Sequence, residues 1–158
     1  MARSTFVYVT YIRTTPEKLW SALTGVEFMK QYWFGCHCES QWMAGSPWKL
    51  IHPDGQVLDA GEILEADPPR RLVIRWHHQS KPELKAEGDS RCTIELEPSG
   101  TAIRLSITHA IEREPSKLIE AVSGGWPKVL SNLKSLLETG SAAMLDPYPA
   151  QGAQSGKK

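Results

Sequence analysis

Residues 123–138, SGGWPKVLSNLKSLLE, place apolar side chains at Trp126, Val129, Leu130, Leu133, Leu136 and Leu137, which is one face of a 3.6-residue period. Lys128, Ser131, Asn132, Lys134, Ser135 and Glu138 fall on the opposite face. Pro127 predicts a helix start, because a residue without an N–H is tolerated best in a first turn. Gly140 predicts the stop. A separate short helix over 117–122, opened by Pro115-Ser116, is expected just before it. A helix with one apolar stripe has to bury that stripe. Nearly everything upstream alternates with the two-residue period of strands, so the expected partner is a sheet.

Phe6 to Ile12 is β-branched and aromatic and reads as a first strand, apolar on both faces and so expected to be covered twice in part. Thr15-Pro16-Glu17 then supplies an N-cap, a proline at the first helical position and an acid in the first turn of a short helix carrying Leu19, Trp20 and Leu23. Thr24-Gly25-Val26-Glu27 fits a capping box opening a second short helix toward Trp33. From residue 35 to 111 strands alternate with turns. The expected strands cover 36–42, 48–52, 57–66, 72–78, 92–97 and 103–111. Gly45-Ser46-Pro47, Pro53-Asp54-Gly55, Asp67-Pro68-Pro69 and Pro98-Ser99-Gly100 punctuate them, and 79–89 reads as a polar hairpin loop. Residues 1–140 are expected to form one domain, and 141–158, rich in Ala, Gly, Pro, Ser and Gln, a disordered tail. The expected architecture is α+β: a curved antiparallel sheet of about six strands wrapped around the long C-terminal helix, with two short helices after the first strand.

Composition narrows the function. Eighteen Lys plus Arg balance eighteen Asp plus Glu in 158 residues, so no basic field exists for nucleic acid or for an anionic membrane surface. No apolar run approaches the roughly 18 residues of a membrane span, and no signal-peptide pattern opens the chain. Three cysteines make no disulfide framework, so a reducing cytoplasmic location is expected. Six tryptophans, which bury about 150–250 Å² each, imply a large aromatic interior.

A run of short matches in order resembles the START-like, or SRPBCC, superfamily with its helix-grip fold. The matches are Thr15-Pro16-Glu17-Lys18-Leu19-Trp20, Tyr32-Trp33-Phe34-Gly35, Gly45-Ser46-Pro47-Trp48, the stretch 61–72 leading to Trp76, and Gly125-Trp126-Pro127-Lys128-Val129-Leu130. Within it the chain is most similar to the branch of activator of heat-shock-protein-ninety ATPase homologues. The resemblance implies a cavity between sheet and helix. The superfamily includes lipid carriers, polyketide cyclases and cochaperone domains, so the fold leaves the function open.

Cys36-His37-Cys38 resembles a metal cluster, but successive strand residues face opposite ways and the three would not converge, so no metal and no cofactor is expected. His52, His78 and His109 are in phase with the apolar faces of their strands, and an imidazole there could act as acid or base. Glu62 lies in an apolar strand, with inward and outward orientations both open. Arg70-Arg71 reads as a solvated turn. Trp33, Trp42, Trp48, Trp76 and Trp126 are candidates to line a pocket, while Trp20 reads as core.

The expected function is binding of a small apolar or aromatic ligand. Its site would be formed by Trp33, Phe34, Trp48, Leu50, His52, Ile74, Trp76, His78, Leu105, Ile107, His109, Trp126 and Leu130. One alternative is a polyketide-cyclase-like or dehydratase-like enzyme using His52, Glu62 or His78. The other is a module that binds a protein partner, as a chaperone activator does.

Overall fold

The structure is a computed structural model that describes residues 3–144. Its elements run β1 (Ser4–Ile12), α1 (Pro16–Thr24), α2 (Val26–Tyr32), β2 (His37–Ser40), β3 (Pro47–Ile51), β4 (Val57–Asp67), β5 (Arg71–His78), α3 (Pro82–Lys85), β6 (Asp89–Ser99), β7 (Ala102–Ile111) and α4 (Lys117–Thr139). The strands form one antiparallel sheet in the order β1-β7-β6-β5-β4-β3-β2. It is α+β as expected, with seven strands rather than about six. Alternate residues of each strand face α4 and the two short helices, and these residues form the core with Leu130, Leu133 and Leu136 of α4. The opposite sheet face carries ion pairs such as Arg75–Glu62 and Arg75–Asp89.

The C-terminal helix differs from its expected form. It is one continuous helix from Lys117, and Pro127 sits in its interior rather than in a first turn. A mid-helix proline costs about 3 kcal/mol. Burial on both sides of it offsets that cost. Leu118 and Ile119 pack with Leu84 and Ile111 in a small cluster, and Trp126 to Leu136 belong to the main core. The N-terminus is capped twice. Ser116 Oγ accepts the Ile119 N–H, and Glu87 accepts the N–H groups of Lys117 and Leu118. Gly140 ends the helix in a left-handed conformation, as expected.

Three further expectations are corrected: a capping box at Thr24, an exposed Asn132 and a first strand covered on both faces. Thr24 is the last residue of α1 and donates to the Trp20 carbonyl, so α2 starts from Gly25 without a capping box. Asn132 is fully buried instead of exposed: its amide donates to the carbonyls of Tyr32 and Met144 and accepts the Met144 N–H. Those bonds, with Ser135 Oγ donating to the Ser141 carbonyl, fold residues 141–144 back along α4; the rest of the expected tail, 145–158, lies outside the described residues. The outer face of β1 is uncovered: its alternate residues Val7, Val9 and Tyr11 face solvent because, among the described residues, no element packs on that side. In addition, the 79–89 loop contains the single turn α3, held by buried Leu84.

Candidate functional site

The register brings Trp48 of β3 and Trp76 of β5 to either side of Gly61 on β4. With no side chain between them, the two indoles close over the glycine with ring centroids 4.4 Å apart. The glycine is required. A Cβ at this position would overlap the Arg75 carbonyl oxygen and come within 2.8 Å of its carbon. Trp126, from α4, meets Trp76 edge-on at 5.9 Å, and Trp33, at the end of α2, lies 5.4 Å from Trp126. Trp42 adds a fifth indole from a loop where its backbone is left-handed (φ 57°). These five surround an apolar cavity with Leu23, Tyr32, Cys38, Leu72, Ile74, Ile94, Val129 and Leu130. Its volume is about 20 Å³. That holds about one water, for which roughly 10–15 Å³ suffices, so anything larger enters by moving the walls.

Of the thirteen expected ligand-site residues, Trp33, Trp48, Ile74, Trp76, Trp126 and Leu130 line this cavity. Phe34, Leu50, Leu105 and Ile107 are core residues outside its lining. The histidines are elsewhere as well. His52 Nδ1 accepts the Asp54 N–H at 3.1 Å in the β3–β4 turn. His109 is fully buried behind the aromatic wall. The Trp126 indole N–H can only donate, so His109 Nδ1 accepts it at 3.2 Å and Nε2 carries the proton toward Ser90 Oγ at 2.9 Å. Ser90 then donates to the Trp76 carbonyl. Burial lowers the His109 pKa to about 3, so the ring is a neutral strap from helix to sheet. Glu62 is on the outer sheet face, paired with Arg75 at 3.0 Å, away from the cavity.

His78 has the most directed partners. Its Nδ1 meets buried Asp59 Oδ1 at 2.8 Å, and its Nε2 meets Ser80 Oγ at 3.0 Å. The same Asp59 oxygen accepts the Trp76 indole N–H at 2.8 Å. The relay therefore touches the back of the cavity wall through Trp76. With the carboxylate accepting at Nδ1, that nitrogen holds the proton and Nε2 offers a lone pair to the Ser80 hydroxyl. Asp59 is not among the expected site residues; its signal in the sequence is an acid inside the apolar run 57–66. Leu72 and Val129 also line the cavity, in phase with the expected Ile74 and Trp126, while Ile94 comes from a strand whose inward face carries no expected site residue.

Few polar groups are open to a guest. Tyr32 Oη donates to the Ala22 carbonyl at 2.8 Å, and burial pushes its phenol well above the usual range. Burial, reinforced by the Asp59 charge, does the same to the Cys38 thiol. Burial pushes Cys36 up to about 12. All three cysteines are free, buried thiols, and among the described residues no three His, Cys, Asp or Glu side chains form a metal-binding group.

The sequence profile of the family described as activator of Hsp90 ATPase homolog 1-like protein matches residues 13–138. Among curated proteins, none matches the chain. Solved structures share the fold. The Aha1 dimer of Colwellia psychrerythraea superposes with a TM-score of 0.69 at 22% identity, covering 87% of this chain and 98% of that one. PFC0360w, an Hsp90 activator of Plasmodium falciparum, gives 0.68 at 21% identity, with 84% and 95% covered. ChR145 of Cytophaga hutchinsonii gives 0.68 at 27% identity, with 87% and 95% covered.

Proposed function

The chain belongs to the activator of Hsp90 ATPase homolog 1-like family, and on that footing we propose that it binds a small hydrophobic or aromatic molecule between the sheet and α4. The supporting observation is that five of its six tryptophans converge on one cavity at that junction. Apolar surface of a ligand buried there would contribute about 2.5 kcal/mol per roughly 100 Å². Since the cavity is small, a ligand enters by moving its walls, and flat ligands that slide between rings are favoured. Native mass spectrometry of the purified protein, before and after denaturation, tests for a co-purified molecule, with titration by aromatic compounds under indole fluorescence as the second arm. Trp126→Ala should weaken binding and His37→Ala, on the outer sheet face, should not. Equal effects would overturn the cavity reading.

An enzymatic reading is favoured by the Asp59–His78–Ser80 relay, which orients His78 as a base. It predicts a rate that depends on a single ionisation and is lost in His78→Gln; turnover unchanged in that variant removes it. Protein binding, the remaining alternative, rests on relatives described as an Hsp90 activator and as a dimer, and on the exposed strip Val7, Val9 and Tyr11. A Val7→Lys, Val9→Lys variant that retains every partner rejects it.

A further inference from the structure

Trp48 is 1% exposed and forms part of the cavity wall. Among the described residues its indole N–H has no hydrogen-bond partner. The Cys38 thiol is near enough for this N–H to offset a little of the upward push on its pKa, yet the two do not meet in hydrogen-bonding geometry. A buried unpaired donor is uncommon, because it forfeits its bond to water without replacement. The other two wall indoles with assigned bonds are satisfied behind the wall, Trp76 by Asp59 and Trp126 by His109. Among the described residues no Asp, Glu, Lys, Arg or His lines the cavity, and the titratable groups that do, Tyr32 and Cys38, are held neutral by burial.

We infer that the cavity selects an uncharged, flat ligand carrying one hydrogen-bond acceptor oxygen, a carbonyl or an ether, and that Trp48 Nε1–H is the donor to it. This rests on the ligand-binding reading above and specifies its chemistry. An indole N–H donates and cannot accept, so a purely hydrocarbon ligand would leave the donor unpaired and gain only apolar burial. An anionic ligand would be buried with no cation to pair it. A carbonyl compound satisfies the donor and keeps the apolar contact with the indole faces.

The test compares 1-indanone with 1-methyleneindane, which has the same shape with C=CH₂ in place of C=O, and with indane-1-carboxylate. Binding is followed by ¹H–¹⁵N spectra of the indole N–H groups, with the Trp48 signal assigned by its loss in Trp48→Phe. The expected result is about tenfold tighter binding of the ketone than of the alkene, as for one buried hydrogen bond. It should come with a downfield shift of the Trp48 N–H on ketone binding and no saturable binding of the carboxylate. In Trp48→Phe the ketone and alkene should bind alike. Equal affinity of ketone and alkene in the wild-type protein, or a preference that survives Trp48→Phe, overturns the donor assignment while leaving the cavity as a binding site. Tight carboxylate binding overturns the requirement for a neutral ligand. If neither neutral compound binds at millimolar concentration, the cavity reading falls and this inference with it. Because the wild-type comparison stands alone, a poorly folded Trp48→Phe protein does not rescue the inference.

Discussion

Substituting alanine for glycine at two positions of this chain should change stability in opposite directions. At Gly61 the new methyl group would overlap the Arg75 carbonyl oxygen and approach its carbon to 2.8 Å. The obstacle is backbone within the β4–β5 ladder, so no rotamer change relieves it. β4 would have to move away from β5, and Trp48 and Trp76, which close over Gly61, would separate with it. Overpacking of a core costs about 1–3 kcal/mol even where side chains can adjust. Gly61→Ala should therefore lie at or above the upper end, about 3 kcal/mol of a total of about 5–15. For a domain of this size each kcal/mol shifts Tm by about 2–4 °C, giving a fall of about 6–12 °C. At Gly124, on the exposed side of α4, a Cβ meets nothing within 4 Å. Gly124→Ala should raise stability by about 0.4–1 kcal/mol through the lower entropy of the unfolded chain. Urea and thermal unfolding of the two variants, followed by indole fluorescence, measure both. A Gly61→Ala protein within about 1 °C of wild type would refute the steric reasoning and the closure of the two indoles over the glycine.

Two other perturbations follow from the buried and capping groups. His109 is neutral in the folded state because burial lowers its pKa to about 3 from the usual 6.5. Its contribution is therefore complete above 6.5 and is lost progressively as pH falls from there toward 3, the unfolded chain binding a proton that the folded one excludes. Between pH 6.5 and 5 this amounts to about 2 kcal/mol, at 1.36 kcal/mol per pH unit; in a His109→Asn variant the drop in urea midpoint over that interval should nearly vanish, and an unchanged drop would exclude His109 as its source. Glu87 is pushed upward by its partial burial, but the bonds from Ser116 Oγ and the Lys117 and Leu118 N–H groups outweigh this and leave its pKa below the usual 4.5. Its capping of α4 should be intact above that value and lost as pH falls below it; Glu87→Ala should cost about 1 kcal/mol at pH 7 and little at pH 3, as read from the first turn of α4 by hydrogen exchange.

Features that depend on near neighbours are legible in the amino-acid sequence. The apolar phases of β5, β6 and β7 and the stripe on α4 are local periodicities, and each appears on the face expected of it. Gly140 as the helix stop and Thr15 as the cap of α1 are equally local. So is the set of aromatic residues from which the cavity wall is drawn. Features that depend on register or on distant burial are set only once the sheet and helices are assembled. Counting by twos from Ala66 turns Glu62 inward, and counting from Ile63 turns it outward; a bulge between Ile63 and Glu65 lets both apolar residues face the core and sends Glu62 to Arg75. The pairing of Asp59 with His78, and of His109 with Trp126, joins residues 17 or more positions apart, beyond any local pattern. Pro127 reads locally as a helix start, yet the burial of Leu118 and Ile119 against Leu84 and Ile111 carries the helix through it. Periodicity states which way a side chain faces. The partner it meets there is set by how the strands align, and that alignment is a property of the whole sheet.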